Sequence, residues 1–151
     1  MTDGILIDAI IRLGLAALLG TLVGVERILA HKTAGMRTYA LVTMGSALFV
    51  IVSQLIAVDF SHLPGFNPAQ ISASIVSGIG FLGASLMIWK DEKLTGLTSA
   101  TGIWVCAGIG MAAGYGYFEL AIIATAFVLF IFIVLWFIEQ QIKKFPFNPE
   151  K

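Results

Sequence analysis

Residues 120–138 read LAIIATAFVLFIFIVLWFI, and this stretch contains no Asp, Glu, Lys or Arg. Two further stretches, residues 60–89 and 94–118, also lack these charged side chains. Uninterrupted apolar stretches of about 18 residues or more are typical of membrane-spanning helices. The sequence therefore predicts an integral membrane protein whose first partner is the lipid bilayer.

The composition of the whole chain agrees with this prediction. Hydrophobic residues make up 58% of the 151 residues and charged residues 12%, whereas soluble domains carry roughly 25% charged residues. The net charge is zero, which argues against a polybasic surface for nucleic acid. The single cysteine, Cys106, excludes an intrachain disulfide and favours a packing role.

The apolar stretches predict an all-α bundle of five membrane-spanning helices. The predicted spans are residues 5–25, 38–58, 71–89, 99–113 and 120–138. The fourth is only about 22 Å long, and an earlier start at Leu97 would lengthen it. This organisation gives a transmembrane domain over residues 1–142 and a short cytoplasmic tail over residues 143–151.

The distribution of Lys and Arg predicts the orientation of the bundle, because cytoplasmic loops are enriched in these residues. Eight of the nine basic residues fall at alternate ends of the predicted spans, on one side of the membrane: Arg27, Lys32, Arg37, Lys90, Lys93, Lys143, Lys144 and Lys151. We therefore expect the N-terminus outside and the C-terminus in the cytoplasm.

Small residues recur at helical spacing, and in membranes such stripes let helices approach closely. Span one carries Ala16, Gly20 and Gly24, and span four carries a packing stripe of Gly102, Cys106 and Gly110. Span three is also rich in Gly and Ser, whereas span five has no Gly. We expect spans one, three and four at the centre, span five at the periphery, and a surface compatible with a homodimer.

Several short segments, taken together, resemble the MgtC/SapB family of bacterial membrane proteins. Residues 24–27 read GVER, residues 34–38 read AGMRT and residues 75–84 read IVSGIGFLGA. GLT at residues 96–98 and IWV at residues 103–105 continue the resemblance, which covers about residues 18–116. The chain departs from the family pattern at Met36 and Ser85, and residues 67–70 read NPAQ where many members have Asp-Pro-x-Arg.

This resemblance implies a multi-pass protein of the bacterial inner membrane, linked to growth under magnesium limitation, to survival inside host cells and hence to virulence. It also implies regulatory binding of membrane partners, which in the family include the ATP synthase and small membrane peptides. The family carries a magnesium-transport label without established transport. Many members continue into a soluble cytoplasmic domain, so we expect a short member that lacks it.

Charged residues within a span are costly and are therefore candidate functional residues. Asp8 and Arg12 are four residues apart, which places them on one face of span one. They could form a polar entry to an outward-facing cavity. The simpler interpretation, which we favour, is a self-neutralising pair near the outer surface, with the Arg12 side chain extending towards water.

A second candidate is a polar cluster where the first two spans meet the cytoplasm: Glu26, Arg27, Arg37 and Thr38. Glu26 and Arg37 could form a cation-binding or partner-docking site, or an ion pair that holds the first helical hairpin together. The third candidate is the glycine-rich helix with Ser77, Gly78, Gly80 and Gly83. It could be a broken helix that lines a cavity or a closely packed one, which we favour.

No segment of the sequence predicts an enzyme or a cofactor. The G-x-x-x-x-G-K-[ST] phosphate loop is absent, as is a D-K-T-G phosphorylation motif, and we do not expect ATP hydrolysis. The residues do not define a metal site. The leading hypothesis is a non-enzymatic regulator that binds membrane proteins, and the alternative is a small channel or transporter for a divalent cation such as magnesium.

Overall fold

A computed structural model describes residues 2–60, 67, 69–90 and 92–144, and these residues form five helices and one β-hairpin. The helices are α1 (Thr2–Leu29), α2 (Met36–Phe60), α3 (Ala69–Ser85), α4 (Leu97–Gly114) and α5 (Phe118–Ile142). The strands are β1 (Ile88–Lys90) and β2 (Lys93–Thr95). The all-α membrane-type fold is therefore confirmed, while residues 145–151 of the predicted tail lie outside the described residues.

Four of these helices are long and apolar enough to cross a membrane, by length and composition. They are Gly4–Leu29, Met36–Val58, Leu97–Gly114 and Phe118–Ile142. Helix α3 is shorter, with 17 residues, and extends for about 25 Å against a hydrocarbon core of about 30 Å. The coarser prediction of a polytopic helical bundle therefore stands, and the fifth crossing remains a prediction.

The helices alternate in direction, so the bundle has two distinct ends. Near one end, the Tyr39 hydroxyl at the start of α2 donates to the Ser99 carbonyl at the start of α4, at 3.3 Å. The C-terminal turn of α1, with Arg27, lies at this end too and contacts α5. We call it the basic end because Arg27, Lys32 and Lys143 lie there. Arg12, near the start of α1, lies at the opposite end.

The centre of the bundle is built by α1, α2 and α4, which differs from the predicted centre of spans one, three and four. A Cβ atom added at Gly20 would lie 2.1 Å from Thr43 Oγ1, and one at Gly24 would lie 2.5 Å from the Cα of Met36. One at Gly110 would lie 2.1 Å from the Thr43 carbonyl oxygen. Helix α2 has fewer glycines than α3 but supplies the surface against which the glycines of its neighbours pack.

The predicted third span extends to Trp89, but helix α3 ends at Ser85 and a β-hairpin follows. Its register pairs Trp89 with Leu94, so the apolar residues after the helix form a strand. Gly96 connects the hairpin to α4 with a φ of +86°, and a Cβ there would lie 2.0 Å from the Leu86 carbonyl oxygen. Hydropathy alone cannot show where a helix stops inside an apolar stretch.

Helix α5 lies at the periphery and contains a π-helical segment, Ile131–Leu135. Only one stripe of α5 is buried, formed by Ala121, Thr125, Val128 and Phe132. Most of the remaining large side chains, including Phe127 and Phe137, are exposed on the bundle surface, where a bilayer would cover them. This arrangement agrees with the expectation that span five faces lipid or another subunit.

Candidate functional site

The most unusual charged side chain of the bundle is Arg27, at the basic end. It is 3% exposed although it lies in the last turn of α1. Its Nε donates to the carboxylate of Glu26, and its Cζ lies 3.5 Å from the centroid of the Phe132 ring. Because an isolated buried cation is strongly unfavourable, this carboxylate and this ring are what allow the guanidinium to be buried.

The wall behind Arg27 depends on a glycine in α4. A Cβ at Gly102 would lie 2.7 Å from the Tyr39 hydroxyl and 2.7 Å from the tip of the Phe132 ring. Tyr39 itself is fully buried. The absence of a side chain at Gly102 therefore leaves the space that the Tyr39 hydroxyl and the tip of the Phe132 ring occupy.

Arg27 also lines a pocket of about 310 Å³ at the basic end, between α1, α4 and α5. Two further cations, Lys32 and Lys143, contribute to its wall, as does the carboxylate of Glu139. Glu139 accepts a hydrogen bond of 2.6 Å from Lys143 Nζ. Uncharged residues form the rest of the wall: Thr98, Ile131, Phe132, Leu135, Trp136 and Gln140.

The structure separates the predicted cluster of Glu26, Arg27, Arg37 and Thr38 into two pairs. Glu26 is half-buried and bonds to Arg27, whereas Arg37 and Thr38 are exposed at the start of α2. Within the described residues, no ion pair joins Glu26 to Arg37. The ion pair between Glu26 and Arg37 that was one of the two alternatives is therefore not formed, and Glu26 pairs instead with its sequence neighbour Arg27.

The predicted intramembrane pair, Asp8 and Arg12, lies at the opposite end of the bundle. Arg12 also contacts two other helices, which was not expected. Arg12 Nε lies 2.8 Å from Asp8 Oδ2. Arg12 Nη1 donates to Gln54 Oε1 and to the Gly114 carbonyl oxygen, both at 2.8 Å. One guanidinium thus connects α1 to α2 and to the C-terminal end of α4, where the helix dipole favours a cation. This is an interhelical contact rather than a side chain that only extends towards water.

The glycine-rich helix α3 is continuous, so it is not the broken helix that was considered. Gly83 is buried and packs against Ala100 of α4, but Ser77, Gly78 and Gly80 are exposed. A Cβ added at Gly78 or Gly80 would have no atom within 4 Å. The close packing that we favoured therefore holds for Gly83 only, and most of the glycine-rich surface has no partner within the described chain.

An apolar groove runs between α2 and α3, with a volume of about 510 Å³. Small residues open it on both sides, namely Gly45 and Ser46 in α2, and Ser74 and Gly78 in α3. Larger apolar side chains complete the lining: Leu41, Val42, Phe49, Ile71, Ile75, Ile79 and Leu82. We call this surface the α2–α3 groove.

The packing stripe of α4 is fully inside the bundle. Gly102, Cys106 and Gly110 are all buried, and Gly114 continues the stripe against Ala47 and Val50 of α2. Gly110 and Gly114 pack against α2, and Gly102 faces both Tyr39 of α2 and Phe132 of α5, so the buried stripe offers no accessible surface for a ligand or a second subunit.

Sequence reasoning missed three residues that complete these sites. Tyr39 follows directly on the AGMRT segment, and this adjacency was a usable signal. Phe132 is one of several Phe residues in α5, and Gln54 is one polar residue in an apolar span. Only the position of their helices in the bundle distinguishes these two.

The described residues do not bring three or more His, Cys, Asp or Glu side chains together in an arrangement that could hold a metal ion. Asp8 and Glu26 face arginines, and Glu139 faces a lysine. A divalent cation usually requires one or two free carboxylates with several waters. Each of these three carboxylates already has a cationic partner.

The sequence profile of the MgtC family matches residues 13–141. YhiD of Escherichia coli (strain K12), named as a candidate magnesium transporter, is 44% identical over 126 residues, which is 82% of this chain and 59% of YhiD. Protein MgtC of Salmonella typhimurium (strain LT2) is 40% identical over 141 residues, which is 93% of this chain and 58% of that protein. No solved structure matches the chain significantly.

Both relatives are longer than the matched region, and the chain spans a little under three fifths of their length. The match begins at Leu13 and ends at Gln141, so it includes most of the bundle and both residues of the buried Glu26 and Arg27 pair. On the extent of the profile match and on identities of 40–44%, this chain belongs to the MgtC family.

Proposed function

We propose that the protein is a non-enzymatic regulator of the bacterial inner membrane, which acts in adaptation to magnesium limitation by binding a helix of another membrane protein. The link to magnesium is supported by family membership and by the name of the relative YhiD. The observation that carries the proposal is the α2–α3 groove, because it is large, apolar and open at the side of the bundle.

The composition of the groove favours a transmembrane helix as its occupant. In membranes, helix association depends on close backbone approach at small residues rather than on the hydrophobic effect. Gly78 and Gly45 line the groove, and a Cβ at either position would meet no atom within 4 Å. An incoming helix could therefore approach the backbones of α2 and α3 closely at these two positions.

The charged residues of the bundle support the same proposal. Asp8 faces Arg12, and Glu26 is bonded to Arg27, so neither carboxylate is free to bind a passing divalent cation. The central contact of α2 with α4 is closely packed around Gly110. These features favour a scaffold for a partner over an ion pathway.

Site-specific photocrosslinking tests the proposed contact. A photoreactive residue at Leu82, which lines the groove, should give a discrete adduct with a second, different membrane protein in cells grown at low magnesium. The matched position is Ile123, which is exposed on α5 and should give only lipid adducts. An adduct of two copies of this chain, or no protein adduct at Leu82, would contradict the proposal.

The alternative function is transport of a divalent cation, and the name of YhiD is the observation that favours it. Purified protein in proteoliposomes should show no magnesium flux above empty liposomes if the proposal is right. Flux that is lost in a folded Glu26→Gln variant would make the protein a transporter and place Glu26 on the route.

A further inference from the structure

The pocket at the basic end has a composition that none of the functions considered above requires. Three cations, Arg27, Lys32 and Lys143, face it together with one carboxylate, Glu139. Among the described residues, the acid bonded to Arg27 Nε is Glu26, which does not line the pocket. The pocket therefore has an excess of positive charge, in a volume of about 310 Å³, which is the lower end for small-molecule sites.

Arg27 provides the fixed element of this pocket. It is 3% exposed, and its position is set by Glu26 on one side and by the Phe132 ring on the other. Within the described residues, its two terminal nitrogens have no hydrogen-bond acceptor. A guanidinium that is held in place, with both terminal N–H groups free to donate, is well suited to a phosphate, because a phosphate can accept two parallel hydrogen bonds.

The start of α4 adds uncharged donors to the same pocket. Thr98 lines it in the first turn of α4, and Gly96 before the helix provides no side-chain cap. The first N–H groups of a helix have no intrahelical acceptor and favour an anion. Gln140 offers an amide on the opposite wall.

We propose that this pocket is a binding site for a phosphate group. Two sources carry this chemistry, the headgroup of an anionic phospholipid and free inorganic phosphate. The neighbouring wall favours the lipid, because Ile131, Leu135 and Trp136 are about half exposed on the outer face of α5. Acyl chains can lie along these side chains, and tryptophan is enriched at membrane interfaces.

Binding of phosphatidylglycerol to the purified full-length protein, measured by native mass spectrometry against diacylglycerol, which carries no phosphate, tests the proposal. Phosphatidylglycerol should bind more tightly, and the double variant Lys32→Gln with Lys143→Gln should weaken its binding by about tenfold or more, since charge-assisted hydrogen bonds are lost. Both lysines are exposed, so this variant should fold, unlike a variant of the buried Arg27.

The chain offers a control with the same loss of charge at the same end. Arg37→Gln with Lys144→Gln removes two exposed cations that do not line the pocket and should leave binding unchanged. Glu139→Gln should tighten binding, because it removes the only carboxylate that the described residues contribute to the wall and frees Lys143, whereas Glu92→Gln should have no effect.

Competition with inorganic phosphate identifies the source of the ligand. If millimolar phosphate binds alone and displaces the lipid, the pocket takes free phosphate; if it does neither, the pocket takes a lipid headgroup. Equal weakening by the two double variants would overturn the proposal, because general surface charge would then explain the binding. Equal affinity for both lipids, with no binding of inorganic phosphate, would also overturn it.

Discussion

Arg12 and Arg27 lie on the same helix, and each is stabilised by different partners. Arg12 bonds to Gln54 and to the Gly114 carbonyl oxygen, and it faces Asp8. Arg27 is more deeply buried and is held by Glu26 and by the Phe132 ring. The first arginine therefore connects helices through hydrogen bonds, and the second shapes a pocket.

Arg12→Gln should destabilise the bundle, because the shorter side chain loses the bonds to α2 and α4 and leaves Asp8 without its cation. We expect a loss of about 1–3 kcal/mol in the free energy of unfolding, as for hydrogen bonds to a charged group. Thermal unfolding in detergent measures this loss. Arg37→Gln removes an exposed cation, and an equal loss in that variant would show that the interhelical bonds of Arg12 do not contribute.

Two glycines of α4 should respond differently to the same substitution. Gly110→Ala places a methyl group 2.1 Å from the Thr43 carbonyl oxygen and must separate α2 from α4, at a cost of about 1–3 kcal/mol. Gly108→Ala meets no atom within 4 Å and should leave the unfolding temperature almost unchanged. Similar unfolding temperatures for the two variants would contradict the close contact.

At the scale of residues, the sequence predicts contacts between residues that are close in sequence better than contacts between residues that are far apart in sequence. The spacing of Asp8 and Arg12 predicts their shared face, because helical geometry is local. The contacts of Arg12 with Gln54 and of Arg27 with Phe132 join residues 42 and 105 positions apart. Such contacts depend on how whole helices are arranged, which hydropathy and spacing do not determine.

At the scale of elements, the π-helical segment of α5 forms part of the site around the buried Arg27. It spans Ile131–Leu135 and contains Phe132, the ring beneath Arg27. Short π segments inside α-helices occur frequently at functional sites. The apolar run predicts the helix itself, but a run without polar residues gives no signal for a local change in hydrogen bonding.

Phe132→Leu should weaken the contact between α1 and α5, because the guanidinium of Arg27 loses its aromatic partner. The loss should be about 2 kcal/mol, the magnitude of a desolvated cation–π contact, and thermal unfolding measures it. Phe130→Leu is the matched control, since Phe130 is exposed on the same helix. Equal stability of the two variants would contradict this role of the ring.

The β-hairpin after α3 shows a second limit of sequence-based prediction for elements. Ile88 and Trp89 continue the apolar character of the third predicted span, yet they form a strand in which both side chains are exposed. The helix boundary lies instead at Ser85, ahead of the residues that pair with Lys93–Thr95. Hydropathy measures the preference for an apolar environment and not the backbone conformation.

At the scale of the whole molecule, the arrangement of the helices explains why the glycines of α3 and α4 differ. The glycines at 102, 110 and 114 are buried against α2 and α5, whereas Gly78 and Gly80 have open space beside them. In the sequence, the small residues of spans three and four look equally suited to close helix packing. The arrangement of the helices around α2 alone decides which of these glycines are buried within the bundle.

The orientation of the bundle is a prediction at the same scale. Since eight of nine basic residues fall on one side of the predicted topology, we expect that side to face the cytoplasm. Green fluorescent protein fused after Lys151 should fluoresce in a bacterial host, and alkaline phosphatase at the same place should be inactive. The reverse pattern would place the basic end, and its pocket, outside the cell.

Growth at low magnesium, in a bacterium that depends on this protein, tests most directly whether a partner helix binds in the α2–α3 groove. Gly78→Leu adds a side chain inside the α2–α3 groove, and Gly14→Leu adds the same side chain on α1, where an added Cβ likewise has no atom within 4 Å. We expect the folded Gly78→Leu variant to fail to support growth and the Gly14→Leu variant to support it fully. Normal growth with Gly78→Leu would contradict a partner helix in the groove.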